Sequence, residues 1–121
     1  MSSNRILVVD DEAMVLESVR MTLAHFGYSV ETACTGNEAL DKLGADRFSL
    51  VVTDRKMPGM SGDQLAAEIK QQWPGLPVIL LTGYPPGRKP PGVDVILLKP
   101  FSTADLRSTV QALLTPPPAE V

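Results

Sequence analysis

Several residue types are scarce in this chain of 121 residues, and each scarcity excludes a class of function. The single cysteine, Cys34, excludes an internal disulfide framework and a metal site built from several cysteines. The single histidine, His25, would have to serve any Ser-His-Asp triad or zinc site. Basic residues are not in excess, because the net charge is -3. This charge argues against a domain that binds nucleic acid by neutralising phosphates.

Long apolar runs are also missing. None approaches the roughly 20 residues that a membrane-spanning helix needs, and no signal peptide is apparent. We therefore expect a protein of the reducing cytoplasm that does not enter a membrane. The length suffices for one domain with its own core but not for two. The hydrophobic content of 44% and charged content of 21% are ordinary for a globular domain.

Short apolar strands do occur, and they alternate with helical patterns. The four apolar strands cover residues 6–9, 50–52, 78–81 and 95–98, and a weaker alternation over residues 29–33 predicts an edge strand. Helix starts are indicated by capping patterns at Thr35, Ser61 and Ser102, and Gly27 suits the end of the first helix. This alternation with short loops predicts a parallel sheet covered by helices on both faces.

Two segments rich in proline interrupt this pattern. Residues 83–92, GYPPGRKPPG, hold four prolines and three glycines, so no helix of useful length is expected there. We predict an irregular loop over residues 83–94, and a helix of two turns or more would contradict this. Three consecutive prolines at 116–118 end the last helix, and the tail over residues 115–121 is predicted to be a frayed terminus or the stub of a linker.

Polar residues follow each of the four apolar strands within one or two positions. Because the carboxyl ends of parallel strands meet at one edge of a sheet, we expect these side chains to gather there. They are Asp10, Asp11, Asp54, Thr82 and Lys99. Three neighbouring carboxylates raise the pKa of at least one of them unless a cation is present, and such oxygen ligands suit Mg²⁺. With an added ammonium and hydroxyl, the set is suited to receive a phosphoryl group.

Four ordered motifs, VVDDE, VVTDRKMPGMSG, ILLTGY and LLKPF, resemble the receiver domain of two-component response regulators, the CheY-like superfamily. The resemblance covers residues 5 to about 114. It implies a flavodoxin-like, doubly wound sheet of five parallel strands in the order 2-1-3-4-5. The proline-rich loop would shorten or replace the fourth helix. We expect a single domain over residues 1–121, with its core at 5–114.

The resemblance also assigns a metal site and a phosphoacceptor. Asp54 would accept the phosphoryl group. Asp11, Asp54 and the main-chain carbonyl of Lys56 would hold Mg²⁺ or Mn²⁺, and Asp10 would reach the metal through a coordinated water molecule. The phosphoryl group would come from a phosphohistidine on a sensor histidine kinase or a histidine phosphotransfer domain. Such a protein signals by its own phosphorylation and is not a turnover enzyme.

The remaining roles implied by the resemblance concern the response to phosphorylation. Thr82 would hydrogen-bond the phosphoryl group, Lys99 would pair with its oxygens, and the Lys99–Pro100 peptide bond is expected to be cis. Receivers usually carry Tyr or Phe at the position of Ile96, and the aliphatic side chain here makes it a degenerate switch position. We expect the dimerisation face of the family to be remodelled, and a monomer is favoured.

Other interpretations stay open at individual positions. Lys56 either reaches over the phosphoryl site and changes hydrolysis or is a solvated surface residue, and Tyr84 either gates the site or packs its loop. Cys34 is expected to be packed after the edge strand.

The function of the whole domain has alternatives too. A pseudo-receiver that binds partners without phosphorylation is favoured by Ile96 and opposed by the intact acidic set. The missing aromatic residue and the proline-rich loop together favour a receiver within a hybrid kinase or relay. A phosphohydrolase of similar topology would need a second Asp two residues after its nucleophile, and the run from Asp10 to Ala13 lacks it.

Overall fold

The five predicted strands form one parallel sheet in a computed structural model that describes residues 4–114. The strands are β1 (Arg5–Val9), β2 (Ser29–Ala33), β3 (Leu50–Asp54), β4 (Val78–Thr82) and β5 (Val95–Leu98). Their order is β2-β1-β3-β4-β5, and every neighbouring pair is parallel. The predicted fold class and strand order are therefore confirmed.

Four helices connect and cover the strands. They are α1 (Ala13–His25), α2 (Gly36–Ala45), α3 (Gly62–Gln72) and α4 (Thr103–Leu114). The predicted caps form where expected: the Thr35 side chain accepts the Glu38 N–H, and Ser61 and Gln64 form a reciprocal capping box. Gly27 follows α1 with φ at 96°, the left-handed geometry that glycine adopts at least cost.

The core has two layers, one on each face of the sheet. Helices α2 and α3 pack on one face against β1, β3 and β4, and helices α1 and α4 pack on the other. Strands β3 and β4 are fully buried along their length, as expected of central strands in a doubly covered sheet. Each buried Leu, Ile or Val side chain contributes about 1.5 to 3 kcal/mol to folding. This burial fixes the register that places the strand ends.

The loop between β4 and β5 contains no helix, which confirms the prediction for residues 83–94. It is held at its far end, where Asp94 Oδ2 accepts the Val78 N–H at 2.8 Å and Val93 enters the core beside α3. Gly92 has φ at 87°, and a Cβ there would lie 2.3 Å from the Ala66 carbonyl oxygen. The loop therefore packs directly on the backbone of α3.

Strand β5 is less covered than the other apolar strands, because a loop stands where a helix would otherwise pack. Its first three residues are half-buried, and the Leu98 side chain is 44% exposed. Ile96 pairs with Leu80 and packs against the layer that contains α3.

Two predictions made from the sequence differ from the structure or lie beyond it. Cys34 is exposed, so the expectation that it would be packed is wrong, because it lies past the end of β2 where neither helical layer covers it. The predicted tail over residues 115–121 lies outside the described residues, and the extent of the single domain stays a prediction. Between residues 4 and 114, every helix is too short or too polar to cross a membrane.

Candidate functional site

The carboxyl edge of the sheet brings together the polar residues that follow the strands. Asp54 ends β3 and Thr82 ends β4, while Asp10 and Lys99 come directly after β1 and β5. The Lys99 N–H donates to the Thr82 carbonyl at 2.8 Å, and the Asp10 N–H donates to the Ala33 carbonyl at 3.1 Å. The parallel register thus delivers all these side chains to one end of the molecule.

The three acidic residues form a cluster. Asp10, Asp11 and Asp54 each offer a carboxylate oxygen, and these atoms all lie within 4.8 Å of one another. Asp10 and Asp54 are 2% and 7% exposed, whereas Asp11 is exposed to solvent. Two buried carboxylates and one open carboxylate therefore surround a point that solvent can reach.

Asp10 is the most perturbed acid of the cluster. Burial is the main reason that its pKa is raised from 3.8 to about 6, and the nearby Asp54 and Asp11 carboxylates add to the effect. The Glu12 N–H, which donates to Oδ1 at 2.9 Å, and the Lys99 ammonium oppose the increase. The other oxygen, Oδ2, is buried without a hydrogen-bond partner among the described residues. A buried acceptor without a partner is costly, so this oxygen favours a cation or a proton beside it.

Lys99 supplies the positive charge of the site. Its ammonium contacts Asp54 Oδ1, and the Lys99–Pro100 peptide bond is cis, as predicted. The lysine side chain is one-third exposed, whereas the Asp54 side chain is 10% exposed. The ammonium therefore stands between the carboxylate and solvent, where it can also meet the oxygens of a group bound to Asp54.

Thr82 and Tyr84 are linked through the threonine hydroxyl. Thr82 Oγ1 accepts the Tyr84 N–H at 3.2 Å and donates to the Tyr84 carbonyl at 3.2 Å. Lys56 lies across the same opening, with its Nζ 5.6 Å from the centre of the Tyr84 ring. A cavity of about 100 Å³ lies between these groups, lined by residues that include Asp54 and Lys99. Both residues named as modulators, Lys56 and Tyr84, therefore border the pocket of Asp54.

Ile96 is not part of this pocket. It lies within β5, three residues before Lys99, and its side chain packs against the core layer of α3. The predicted site residues at the ends of β3, β4 and β5 therefore all line the pocket: Asp54, Thr82 and Lys99. The degenerate switch position, Ile96, lies outside it within β5.

A larger recess of about 710 Å³ lies near Asp46, Phe48 and Trp73, in the loops that precede β3 and β4. These loops are at the opposite edge of the sheet. The acidic groups and the Lys99 ammonium converge at the small pocket. We therefore assign the functional site to this pocket, although its volume is smaller than that of the recess.

Two features of the site were not foreseen from the sequence. Gly62 begins α3 so close to the end of β3 that a Cβ would lie 2.2 Å from the Asp54 carbonyl oxygen. Arg55 donates two hydrogen bonds of 3.0 Å to Asp63, which joins the residue after Asp54 to the first turn of α3. The glycine after Ser61 was the available signal, since a capping pattern rarely needs glycine at that position.

The donor set fits a hard divalent cation. Carboxylate oxygens with open access to water are ligands that Mg²⁺ and Mn²⁺ accept, and Mg²⁺ prefers one or two carboxylates with several waters. The unpartnered Oδ2 of Asp10 favours a cation beside it, and so do the Asp54 and Asp11 charges, which add to the increase in the Asp10 pKa that burial mainly causes. The residues present therefore fit the metal that the sequence predicts.

A doubly wound sheet with carboxylates, a hydroxyl and an ammonium at its carboxyl edge is the arrangement that the sequence predicts for a receiver domain. Comparison with known proteins agrees with this prediction, since residues 6–111 match the response regulator receiver domain family. The chain belongs to this family, whose members are signalling domains of two-component systems that interact with histidine kinases and bind Mg²⁺ at an acidic pocket. The resemblance found in the sequence is therefore confirmed.

Individual relatives and structures are similar over most of the chain. Response regulator MprA of Mycolicibacterium vanbaalenii is 39% identical over 115 residues, which are 91% of this chain and 50% of that relative. The chain thus spans about half the length of this relative. Chemotaxis protein CheY4 of Vibrio cholerae superposes with a TM-score of 0.88 at 32% identity, covering 93% of this chain and 100% of that one.

A third comparison concerns a structure with a bound metal. Response regulator TrrA of Thermotoga maritima, in complex with Mg²⁺-BeF, has a TM-score of 0.86 and 38% identity. The match covers 92% of this chain and 99% of that one.

Proposed function

We propose that this chain is a phosphoacceptor receiver in which Asp54 takes a phosphoryl group from a phosphohistidine. The donor is a sensor histidine kinase or a histidine phosphotransfer domain in the cytoplasm. The observation that carries the proposal is the joint placement of the three carboxylates and the Lys99 ammonium around the buried Asp54 side chain. A chance grouping of acids would not place a cation on the one carboxylate that lies inside the pocket.

In the proposed transfer, an Asp54 carboxylate oxygen attacks phosphorus in line with the bond to the histidine nitrogen. The new O–P bond forms as the N–P bond breaks, and the imidazole, already protonated at its other ring nitrogen, leaves with the bonding electron pair as a neutral ring. The Lys99 ammonium is placed to follow the phosphoryl oxygens from its present contact with Asp54 Oδ1. No group besides donor and acceptor is consumed.

Asp10, Asp11, Asp54 and the main-chain carbonyl of Lys56 are the residues that would hold Mg²⁺ or Mn²⁺. When bound, the ion balances the charge that collects on the transferring oxygens. Thr82 supplies a hydroxyl donor from the end of β4, on the other side of the pocket. The protein performs one transfer per phosphorylation and acts as a signalling partner, without turning over a substrate.

A second candidate is a pseudo-receiver, and Ile96 is the observation that favours it. An aliphatic side chain packed in the core has no ring or hydroxyl with which to signal a change at Thr82. The same substitution is compatible with a relay domain that passes the phosphoryl group on without a conformational output. As a pseudo-receiver or as a relay domain, the chain would be a monomeric module that contacts proteins but neither nucleic acid nor membrane.

Intact-mass spectrometry separates these candidates. The purified chain is incubated with Mg²⁺ and either acetyl phosphate or phosphoramidate, the latter offering the N–P bond of a phosphohistidine. We expect the mass of one phosphoryl group to be added with each donor, and chelation by EDTA to prevent the addition. Asp54→Ala should abolish it, while Asp41→Ala, which removes an exposed carboxylate from α2, should leave it unchanged.

Absence of the added mass on the wild type, with both donors, would establish the pseudo-receiver in place of the phosphoacceptor. Equal addition to Asp54→Ala would show that another residue accepts the group.

A further inference from the structure

The hydroxyl of Thr82 is fully engaged by one residue. Its oxygen accepts the Tyr84 N–H and its proton goes to the Tyr84 carbonyl, both at 3.2 Å. A threonine hydroxyl has a single proton to donate. It therefore cannot donate to a phosphoryl oxygen on Asp54 and to the Tyr84 carbonyl at the same time.

The Tyr84 ring carries the second contact. It is 72% exposed, and its centre lies 5.6 Å from the Lys56 ammonium, which belongs to the loop after β3. Tyr84 and Lys56 both line the small pocket that contains Asp54. An exposed cation–π contact is too weak to hold the ring in place against a change in the Tyr84 backbone.

The rest of the loop is anchored independently of Thr82. Gly92 packs on the backbone of α3, Asp94 exchanges hydrogen bonds with Val78, and Lys89 Nζ donates to the Asp94 carbonyl at 3.0 Å. These contacts lie at residues 89–94. The contacts that hold residues 89–94 therefore do not involve Thr82, whereas the hydrogen bonds of Tyr84 with Thr82 do.

We infer that phosphoryl capture at Asp54 is reported at Tyr84 and not at position 96. The Thr82 hydroxyl leaves the Tyr84 carbonyl for the phosphoryl group, the turn at residues 82–84 opens, and the ring leaves Lys56. An aromatic side chain on the loop thereby does what the aliphatic Ile96 cannot, and the output surface is the beginning of the segment at 83–94. This inference rests on the proposed phosphorylation of Asp54.

Fluorine NMR of the full chain labelled with 3-fluorotyrosine tests the inference, because the chain has two tyrosines. Tyr28 lies between α1 and β2 and serves as the internal reference, and Tyr84→Phe assigns the signals. Spectra are recorded before and after addition of Mg²⁺ and beryllium fluoride, a phosphoryl mimic. We expect the Tyr84 resonance to shift and the Tyr28 resonance to stay.

Two variants assign the shift to its cause. Thr82→Ser keeps the hydroxyl and should keep the shift of the Tyr84 resonance. Thr82→Ala cannot hold the Tyr84 backbone, so its Tyr84 resonance should lie near that of the beryllium fluoride complex before the mimic is added and should not shift further. Lys56→Met removes the ammonium but keeps an apolar side chain. It should move the Tyr84 resonance in the free protein and have no effect in the beryllium fluoride complex, where the ring has left Lys56.

The outcomes separate the inference from the proposed function. If acetyl phosphate adds no mass to Asp54, the proposed function fails and this inference fails with it. If Asp54 is phosphorylated but Tyr84 does not shift, or Lys56→Met changes Tyr84 equally in both states, only the inference is overturned. An equal shift in Thr82→Ala that bears the mimic would overturn it as well.

Discussion

The carboxyl edge of the sheet has two halves that are built differently. The inner half, at the ends of β1 and β3, carries Asp10, Asp11 and Asp54, and helices cover both faces of these strands. The outer half, at the ends of β4 and β5, carries Thr82 and Lys99, and there a loop replaces one covering helix. Strand β3 is buried throughout, whereas β5 is half-buried and ends in an exposed Leu98. Among the strands that carry site residues, only β5 is incompletely covered, because β4, which ends in Thr82, is as buried as β3. The two halves therefore differ at the edge strand that precedes Lys99.

The largest effect is expected at the inner half, from Gly62→Ala. A Cβ at this position would lie 2.2 Å from the Asp54 carbonyl oxygen and 2.9 Å from Arg55 Cα, and backbone atoms cannot move aside cheaply. We expect the free energy of unfolding to fall by about 3 kcal/mol, measured by urea denaturation.

The matched control for this variant is Gly44→Ala, in α2. A Cβ there meets nothing within 4 Å, so better helix propensity should stabilise the protein by about 1 kcal/mol. Similar effects of the two substitutions would mean that the inner half is less rigid than its packing indicates.

Asp10→Asn should stabilise the metal-free protein near neutral pH. The pKa of Asp10 is raised from 3.8 to about 6, so the folded state binds this proton more tightly than the unfolded state does. Its contribution to stability is complete below about pH 4 and is lost as the pH rises through about 6. The quantity to compare is the difference in free energy of unfolding between the variant and the wild type. This difference should be about 2 to 3 kcal/mol more in favour of the variant at about pH 7.5 than at about pH 4.

Chemical denaturation at the two pH values in EDTA measures this gain. The variant should also gain less stability from added Mg²⁺ than the wild type does. A difference between variant and wild type that does not change with pH would contradict the assignment of the effect to the Asp10 carboxyl.

Lys99→Met tests the connection between the two halves. Without its ammonium, the Asp54 carboxylate stays buried beside two other acids, and breaking such a pair is costly. Because the lysine side chain is one-third exposed, we expect a loss of about 2 kcal/mol, less than for a fully buried pair. Mg²⁺ should restore more stability to this variant than it adds to the wild type, as measured by thermal unfolding with and without the ion.

Lys89→Met is the control for Lys99, since its ammonium contacts only the Asp94 carbonyl among the described residues. Its stability should stay within about 0.5 kcal/mol of the wild type. Equal losses of stability in the two variants would show that the ion pair of Lys99 with Asp54 contributes no more than an exposed surface contact.

The smallest effect is expected in the outer half, from Gly92→Ala. The position has φ at 87° and a Cβ would meet the Ala66 carbonyl oxygen at 2.3 Å, but Gly92 lies outside the helices and strands, so relief of the clash breaks no ladder of backbone hydrogen bonds. We expect a loss of about 1 kcal/mol and faster amide exchange over residues 89–94. Gly87→Ala, where a Cβ meets nothing within 4 Å, should change neither quantity.

The fold and the gathering of the polar residues at the carboxyl edge could be predicted from the sequence because both depend on local patterns. Apolar strands that end in Asp54, Thr82 and Lys99 fix the sheet, and parallel pairing then brings the strand ends together without further information. The proline content of residues 83–92 excluded a helix for an equally local reason.

Contacts that depend on how two segments meet in space could not be predicted. The closeness of Gly62 to the Asp54 carbonyl and the hydrogen bonds of Thr82 with Tyr84 are of this kind. The exposure of Cys34 was missed because a small apolar residue after a strand gives no sign of whether a helix covers it. The sequence pattern of strands and helices thus predicts which residues approach one another, whereas the individual contacts depend on how the segments pack.

The edge position of β5 also bears on aggregation. An edge strand presents a row of main-chain groups to which another strand could be added, a common start of aggregation. Here the strand has only four residues, and Pro90, Pro91 and Pro100 lie on either side of it. Because proline offers no N–H, an added strand could form few hydrogen bonds before it met a position that cannot donate. The prolines that took the place of a helix thus also limit the uncontrolled growth of the sheet.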